Sequence, residues 1–405
     1  MKSLISTIII VILIAVSLSR VEGYGHLMNV VHAFCLFGIF VVLIKNNFRL
    51  VKRNNLSILI FLFVITSGIS AFVNQEGTLF LNAILIAIIL VFSLIALPTI
   101  NKIDINKIDI NKRVIISLVL THIPLILIPI LITGVNTTPY KGIFYNSNTF
   151  GNTMATIYST LFAIYIFYLQ RYIEGSKQKF FILKSAFFGT ILLSMVYLVM
   201  ISSSRTSFIS VAVTTVLGLL ILGYCLIKTK KIYSFILKGF LFSFIAGIIL
   251  LALKFTNFYN SLYYNIVLKF QTKIQRGDVF DTRADIWSQT LAEAGFFGQG
   301  SKYFNENFNL GAHNTFISII GTFGYIPAIF LFVLLIVLFI KSLKFSLSNT
   351  EVTYKYLPII LALNFFVLSM GEDMLFKLSM FLLLLSVGSI YRNSLKSSQS
   401  SNIVQ

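Results

Sequence analysis

Arg205, Arg283 and His313 carry chemistry that their sequence surroundings do not require. Arg205 lies in ISSSRTSF, Ile201–Phe208, within an apolar stretch that runs from about Ser185 to Ile227. A charged side chain at the centre of a bilayer helix costs roughly 2.5–3.5 kcal/mol, so this arginine needs water or a partner. Ser202, Ser203, Ser204, Thr206 and Ser207 make a polar notch around it. Guanidinium is planar, permanently charged and suited to gripping phosphate oxygens in pairs. It can also snorkel from a hairpin tip to the lipid headgroups. Arg283 opens RADIWSQTL, one helical turn before Trp287, in a first turn where the helix dipole disfavours a cation. Its two readings are an ion pair with Asp278, Asp281 or another acid of the loop and an anion-binding arginine. His313 stands in GAHNTFISIIGTFGYIP. Imidazole ordinarily titrates at about pH 6.5 and can take a proton from a hydroxyl nucleophile; the plainer reading is a hydrogen-bonding residue at a helix start. Asn314 beside it is placed to orient the ring. His26, His32 and His122 read as structural.

The elements that must position these groups are membrane helices. The chain is 57% hydrophobic and 11% charged, with a mean hydropathy of +0.90, which sets it outside the range of soluble domains. Nearly uncharged windows long enough to cross roughly 30 Å of hydrocarbon recur along it. They fall near 4–19, 27–44, 56–73, 78–98, 114–134, 151–169, 185–202, 206–227, 239–256, 313–340, 357–370 and 377–391. The expected fold is an all-α polytopic integral membrane protein, a single membrane domain over 1–405 with about twelve spans. The first and the last two windows are short.

Charge placement orients these spans, because cytoplasmic loops carry an excess of Lys and Arg. With the N-terminus inside, most of the 32 basic residues fall on inner segments, including KNNFRLVKR, RYIEGSKQKFFILK and KTKKIYSFILK, and both termini are cytoplasmic. The net charge of +19 therefore encodes topology; spread along loops, it makes no nucleic-acid surface. Lys2 followed by an apolar stretch resembles a secretory signal, but Ser17-Leu18-Ser19 is a poor cleavage site and the charge count works with this span retained. Cys35 and Cys225 both lie in apolar spans, so neither a disulfide framework nor a metal cluster is expected. INKIDINKIDINK, Ile100–Lys112, is a low-complexity cytoplasmic linker.

From Asn257 to Ala312 the chain has no membrane-length apolar segment. Long loops are commonly functional, and this one is rich in Tyr and Phe and holds the only tryptophan. It reads as an extracytoplasmic cap at 257–312 between the ninth and tenth spans. Thr282-Arg283-Ala284-Asp285 has capping-box spacing and Gly295 is a natural stop, which predicts an amphipathic helix from Arg283 to Ala294. Its Ile286, Trp287, Thr290 and Leu291 would lie on the bilayer surface or on neighbouring spans. Gly321, Gly324 and Pro327 indicate close packing and a kink in the following span. GIFYNSNTFGN, Gly142–Asn152, supplies Tyr145, Asn146 and Asn148, which suit sugar hydroxyls and a sugar ring; loop-turn chemistry accounts for the same residues.

Taken together, SSSRTSF between two spans, TRADIWSQTL followed by GFFGQG, AHNTFISIIGTFGYIP and the upstream GIFYNSNTFGN resemble the O-antigen ligase and polysaccharide polymerase superfamily, the WaaL- and Wzy-like membrane proteins. The resemblance covers about Gly142 to Pro327; the flanking spans match only in being apolar. It implies a helical membrane enzyme that transfers glycan from undecaprenyl diphosphate to an acceptor hydroxyl on the outer face of the cytoplasmic membrane, with no cofactor and no metal. Residue by residue it implies that Arg205 and Arg283 hold the diphosphate and that His313 activates the acceptor. Asn148, Asn314, Trp287, Ser204 and Tyr145 would line the substrate site. Its implied partners are the lipid-linked donor, a glycan acceptor, membrane lipids and a chain-length regulator. Gly371-Glu372-Asp373 has no role in this pattern, and the outer loop is shorter than in some ligases.

The acceptor divides the remaining readings. A polymerase uses another lipid-linked repeat unit; a ligase uses a lipid A core or similar anchor. The abundance of Ile, Asn and Lys points to an AT-rich genome and an envelope without lipid A, which favours the polymerase. A transporter or flippase would carry mid-membrane sites in broken helices, often with internal repeats, and the two halves of this sequence show none. The topology predicts that cysteines introduced at Asn148 and Asn307 react with an impermeant thiol reagent in intact cells and that one at Ser348 does not. Labelling at position 348 would reverse the orientation.

Overall fold

The computed structural model describes residues 2–45, 55–98, 110–135, 138–175, 181–233, 236, 263–275, 283–348 and 354–400. The expected span at 239–256, most of the Ile100–Lys112 linker, and Asp278, Asp281 and Thr282 lie outside them. The protein is an all-helical membrane protein, with no strand among the described residues. Among the described residues, eight helices are long and apolar enough to cross a membrane, and three shorter apolar helices accompany them.

In chain order the helices are α1 Lys2–Leu18, α2 Leu27–Lys45, α3 Asn55–Val73, α4 Gly77–Val91 with a π-helical turn Phe92–Ala96, α5 Ile110–Thr133, α6 Ser147–Ile173, α7 Phe181–Ile201 and α8 Arg205–Lys228. A π-helical turn Tyr263–Leu268 leads into α9 Lys269–Gln275. Then come α10 Arg283–Glu293, α11 Tyr303–Phe308, α12 Thr315–Phe323, α13 Tyr325–Ser346, α14 Leu357–Ser369 and α15 Leu378–Ser400. They form two compact units, one from 1–124, 282–344 and 368–405, the other from 125–281 and 345–367.

In the second unit α6 is the central helix. Its mean hydropathy is the lowest of those eight helices, and 83% of its apolar window is buried. A helix that is both buried and polar must satisfy its polar groups internally. Ser207 of α8 donates to Asn152 Oδ1 at 2.7 Å, and Asn364 of α14 donates to Thr156 at 3.1 Å while accepting from Ser210 at 2.9 Å. Such bonds, with small residues at the crossings, are what joins helices when the surroundings are as apolar as the helices themselves. Gly151 is one of those crossings: a β-carbon there would meet Ser202 Oγ at 2.5 Å and Ser204 Cβ at 2.8 Å.

In the first unit α2 and α15 close on the π-helical turn of α4. Gly38 leaves room for the Phe92 ring, and Gly388 lies against the Ser93 carbonyl. The window expected at 313–340 is two helices, with the predicted kink realised as a full break at Gly324. That residue has φ 92° and ψ 175°, a region open essentially to glycine alone. The break exists because another segment bonds to it. Gln299 and Gly300 donate to the carbonyls of Gly321 and Thr322 at 2.8 and 3.2 Å, and Tyr325 and Ile326 donate to those of Gly295 and Phe296 at 3.2 and 3.1 Å. This Gly295–Gly300 strap is also bound to the α3–α4 turn: Ser70 and Asn74 donate to the Phe297 carbonyl, and Ser301 donates through both its amide and its hydroxyl to Glu76 Oε2.

A β-carbon on Gly298 would meet Thr322 O at 2.5 Å, and one on Gly324 would meet the Gly298 backbone. Gly324→Ala should therefore destabilise the protein by more than the ~1–3 kcal/mol of its disfavoured backbone conformation alone. Gly189→Ala in α7, where the added methyl meets nothing within 4 Å, should leave the melting temperature unchanged or raised through helix propensity. Thermal unfolding of both variants in detergent distinguishes these outcomes, and an unchanged Tm for Gly324→Ala would contradict the strap.

Candidate functional site

Three predicted residues of the first unit, Arg283, His313 and Asn314, meet on one short turn, Met370–Lys377, which joins α14 to α15. The capping of α12 explains how. Asn314 is its N-cap: the side-chain oxygen accepts from the amides of Phe316 at 2.9 Å and Ile317 at 3.3 Å. Its amide nitrogen donates to the Met370 carbonyl at 3.3 Å. Thr315 donates to the Glu372 carbonyl at 3.0 Å and accepts from the Met374 amide at 2.9 Å, and Ser318, one turn on, donates to Asp373 Oδ2 at 3.1 Å. The start of α12 and the turn thus satisfy each other's unpaired groups, as a helix end and an irregular segment buried together must.

Arg283, the first residue of α10, adds a fifth bond. Its Nη1 donates to the Gly371 carbonyl at 3.1 Å, and the residue is half-buried. α10 ends at Glu293, one residue short of the expected Ala294. Of the face expected on the bilayer or on neighbouring spans, Ile286 and Thr290 are buried, Leu291 is exposed, and the apolar centre is Ile286, Tyr303, Phe304, Ala312 and Ile317. Trp287 packs on the edge of that cluster and donates from its indole to the Ala312 carbonyl at 2.8 Å. Tyr303 donates to Glu293 at 2.8 Å; burial, reinforced by that carboxylate, pushes the phenol up to about 12.

His313 is the residue before the N-cap and has φ 48°, a left-handed conformation that costs a β-carbon-bearing residue roughly 1–2 kcal/mol. Its Nδ1 lies 3.6 Å from Glu372 Oε2, with the imidazole side chain 34% exposed and the carboxylate side chain 9% exposed. The sequence suggested Asn314 as the group that orients the ring; Asn314 instead holds the helix start and the turn, and the acid facing the ring is Glu372. Both His313 and Glu372 border a cavity of about 420 Å³ that Asp373, Lys377, Ser318 and Phe304 also line. That volume is within the usual range for small-molecule sites. Burial pushes the Asp373 carboxyl up against the opposing pull of Lys377, the Leu375 amide and Ser318. Burial likewise pulls the Lys377 ammonium down, opposed by Glu372 and Asp373. Arg20 donates to the Phe376 carbonyl and fixes the far end of the turn.

The second unit holds the other predicted residues at one end of α6 and α8. Arg205 is the first residue of α8 and half-buried. The serines before it are turned inward: Ser202, Ser203 and Ser204 are buried, and Ser204 shares a 2.7 Å hydrogen bond with Ser207. Ser204 therefore packs against Gly151 and not into an open notch. Tyr140 donates from its amide to the Ile201 carbonyl at 2.9 Å, bringing the loop before α6 beside the start of α8. In that loop Tyr145 is 45% exposed, Asn146 caps α6 by accepting from Thr149 at 2.7 Å, and Asn148 is half-buried in the first turn.

Glu372 and Asp373 are the residues that motif reasoning left without a role. A topology of twelve spans would put the connection between the last two windows on the same side as the 257–312 loop. Their contact with His313 was not legible, because it depends on how α12 docks. No protein-family model and no curated protein matches the chain.

If Asn314 both caps α12 and ties it to the turn, removal should be felt twice. Asn314→Ala should cost about 0.5–2 kcal/mol for the cap and more for the orphaned Met370 carbonyl. Asn314→Asp keeps the acceptor but cannot donate to Met370, so its melting temperature should fall between wild type and Asn314→Ala. Equal values for the two variants would show that the bond to Met370 contributes nothing.

Proposed function

We propose that this chain is a polysaccharide polymerase of the O-antigen ligase and polysaccharide polymerase superfamily, acting on the outer face of the cytoplasmic membrane. In this reading it has about twelve spans, cytoplasmic termini, and the 257–312 segment as an outer cap. The observation that supports it most is the gathering of Arg283 and His313 on the Met370–Asp373 turn, with Glu372 behind the imidazole and a 420 Å³ cavity beside it. A base, an acid that orients it and a guanidinium are the groups that transfer from a lipid diphosphate needs.

The acceptor hydroxyl gives its proton to His313, and its oxygen forms the new bond to the anomeric carbon. The bond from that carbon to the diphosphate oxygen breaks, and undecaprenyl diphosphate leaves with the electron pair. Glu372, facing Nδ1, steadies the imidazolium as it forms, so that Nε2 is the nitrogen that takes the proton. Negative charge grows on the leaving diphosphate, where a fixed guanidinium stabilises the transition state more than the ground state. The resemblance gives this role to Arg283 and Arg205; in support, Arg283 is bonded to the turn that carries Glu372. Tyr145, Asn148 and Trp287 are proposed contacts for the glycan.

The experiment is incubation of purified protein with a lipid-linked repeat unit and no other acceptor. Longer lipid-linked chains are expected. Turnover only on adding a different anchor would make it a ligase, and none with either acceptor would favour a transporter. His313→Ala should lower turnover by about 10²–10⁴ with donor binding nearly unchanged, and Arg205→Lys and Arg283→Lys by about 10² through loss of the paired guanidinium contact. Near-normal turnover in His313→Gln, which keeps hydrogen bonding and lacks the base, would return His313 to a structural role.

A further inference from the structure

A second group of cations lies at the other end of α6 and α8 from Arg205. α8 has 24 residues, roughly 36 Å at 1.5 Å per residue, so the separation is close to a bilayer thickness. Here Arg171, Lys228 and Lys355 line a cavity of about 220 Å³ with Gln170, Glu174 and Cys225. Among the described lining residues Glu174 is the one carboxylate, set against three cations. It accepts from Gln170 at 2.6 Å, and Gln170 in turn accepts from the Tyr356 hydroxyl at 2.6 Å.

Arg171 and Lys228 stand in the last turns of α6 and α8, where helix dipoles favour cations. That argument does not cover Lys355. It lies two residues before α14, at the end of a helix where a cation is disfavoured, yet it is only 4% exposed. Its ammonium donates to the Ser348 carbonyl at 3.1 Å and sits 5.2 Å from the Tyr356 ring centroid. Burial pulls its titration down, with Lys228 adding to the shift and Cys225 and Glu174 opposing it. A buried ammonium beside two further cations is stabilised by an anion that several donors can share. The start of α14, two residues on, favours the same charge.

We infer that this cavity binds the phosphate of an anionic phospholipid headgroup, with Lys355 as the inner contact and Lys228 and Arg171 at its edge. The volume suits a headgroup and is below the usual range for small-molecule sites. The site opens among the ends of membrane helices, where basic clusters meet anionic lipid on the cytoplasmic side. Glycan transfer is not needed for this inference, so each can fail without the other.

The test uses the full-length protein purified in detergent and titrated with phosphatidylglycerol or phosphatidylcholine, bound lipid being counted by native mass spectrometry. Wild type should retain phosphatidylglycerol in preference to phosphatidylcholine. Lys355→Met and Lys228→Gln should each weaken that retention about tenfold, the loss of one charged contact, with phosphatidylcholine unaffected. Lys228 is exposed, so its variant decides the matter even if Lys355→Met does not fold. Displacement of phosphatidylglycerol by millimolar inorganic phosphate would keep the phosphate site and overturn its lipid source. Equal retention of the two lipids, or unchanged retention in Lys228→Gln, would overturn the site.

Discussion

The carbonyls of Met370, Gly371 and Glu372 accept from Asn314, Arg283 and Thr315, and this set of bonds fixes the candidate site. Irregular backbone within a membrane protein persists only where protein groups satisfy it, since lipid cannot. Three donors from two separate helix starts converge on one turn, so α10, α12 and the turn cannot shift independently. His313, one residue before Asn314, and Glu372, within the turn, inherit their 3.6 Å spacing from that locking. The same bonds that satisfy the backbone also set the distance between the imidazole and the carboxylate.

The strap at Gly295–Gly300 extends this logic. Its four backbone bonds to 321–326 need glycine at 298 and 324, because any side chain would fill the space the opposing chain occupies. Glu76 receives both donors of Ser301, anchoring the strap to the α3–α4 turn. α10 is thus held at both ends, by Arg283 on the turn and by the Gly295 carbonyl on α13. Trp287 and the Ile286–Tyr303–Phe304 cluster fill the space beneath.

The two units use different means to carry polar residues among apolar helices. The second relies on side-chain pairs at α6, where Asn152, Thr156 and Asn364 are each joined to a neighbouring helix. The first relies on backbone groups paired across loops. Loop pairing leaves side chains such as His313 and Lys377 to line a cavity, whereas the ladder pairs its hydroxyls and Asn364 among themselves and leaves only Asn152 Nδ2 of its three named residues buried without a partner. The serines before Arg205 belong to the ladder, which is why so polar a stretch presents little open surface.

The sequence by itself determined that the protein is helical and membrane-embedded, because length and apolarity of a span are local properties that no tertiary contact alters. It also determined the start of α10 at Arg283, the reach of that helix to within a residue, and the capacity of Gly324 to break a span, since propensity and capping act over a few residues. Asn314 could be recognised as a polar residue at a helix start, but not as the group tying that helix to Met370. Only the tertiary structure decided that Glu372 faces His313, that Ser204 is buried, and that Trp287 packs on Ala312. These contacts join residues far apart in the chain, and the energies that choose them come from satisfying buried backbone groups. A span written in Ile, Leu and Phe packs in many registers. The hydrogen bonds at its ends select one.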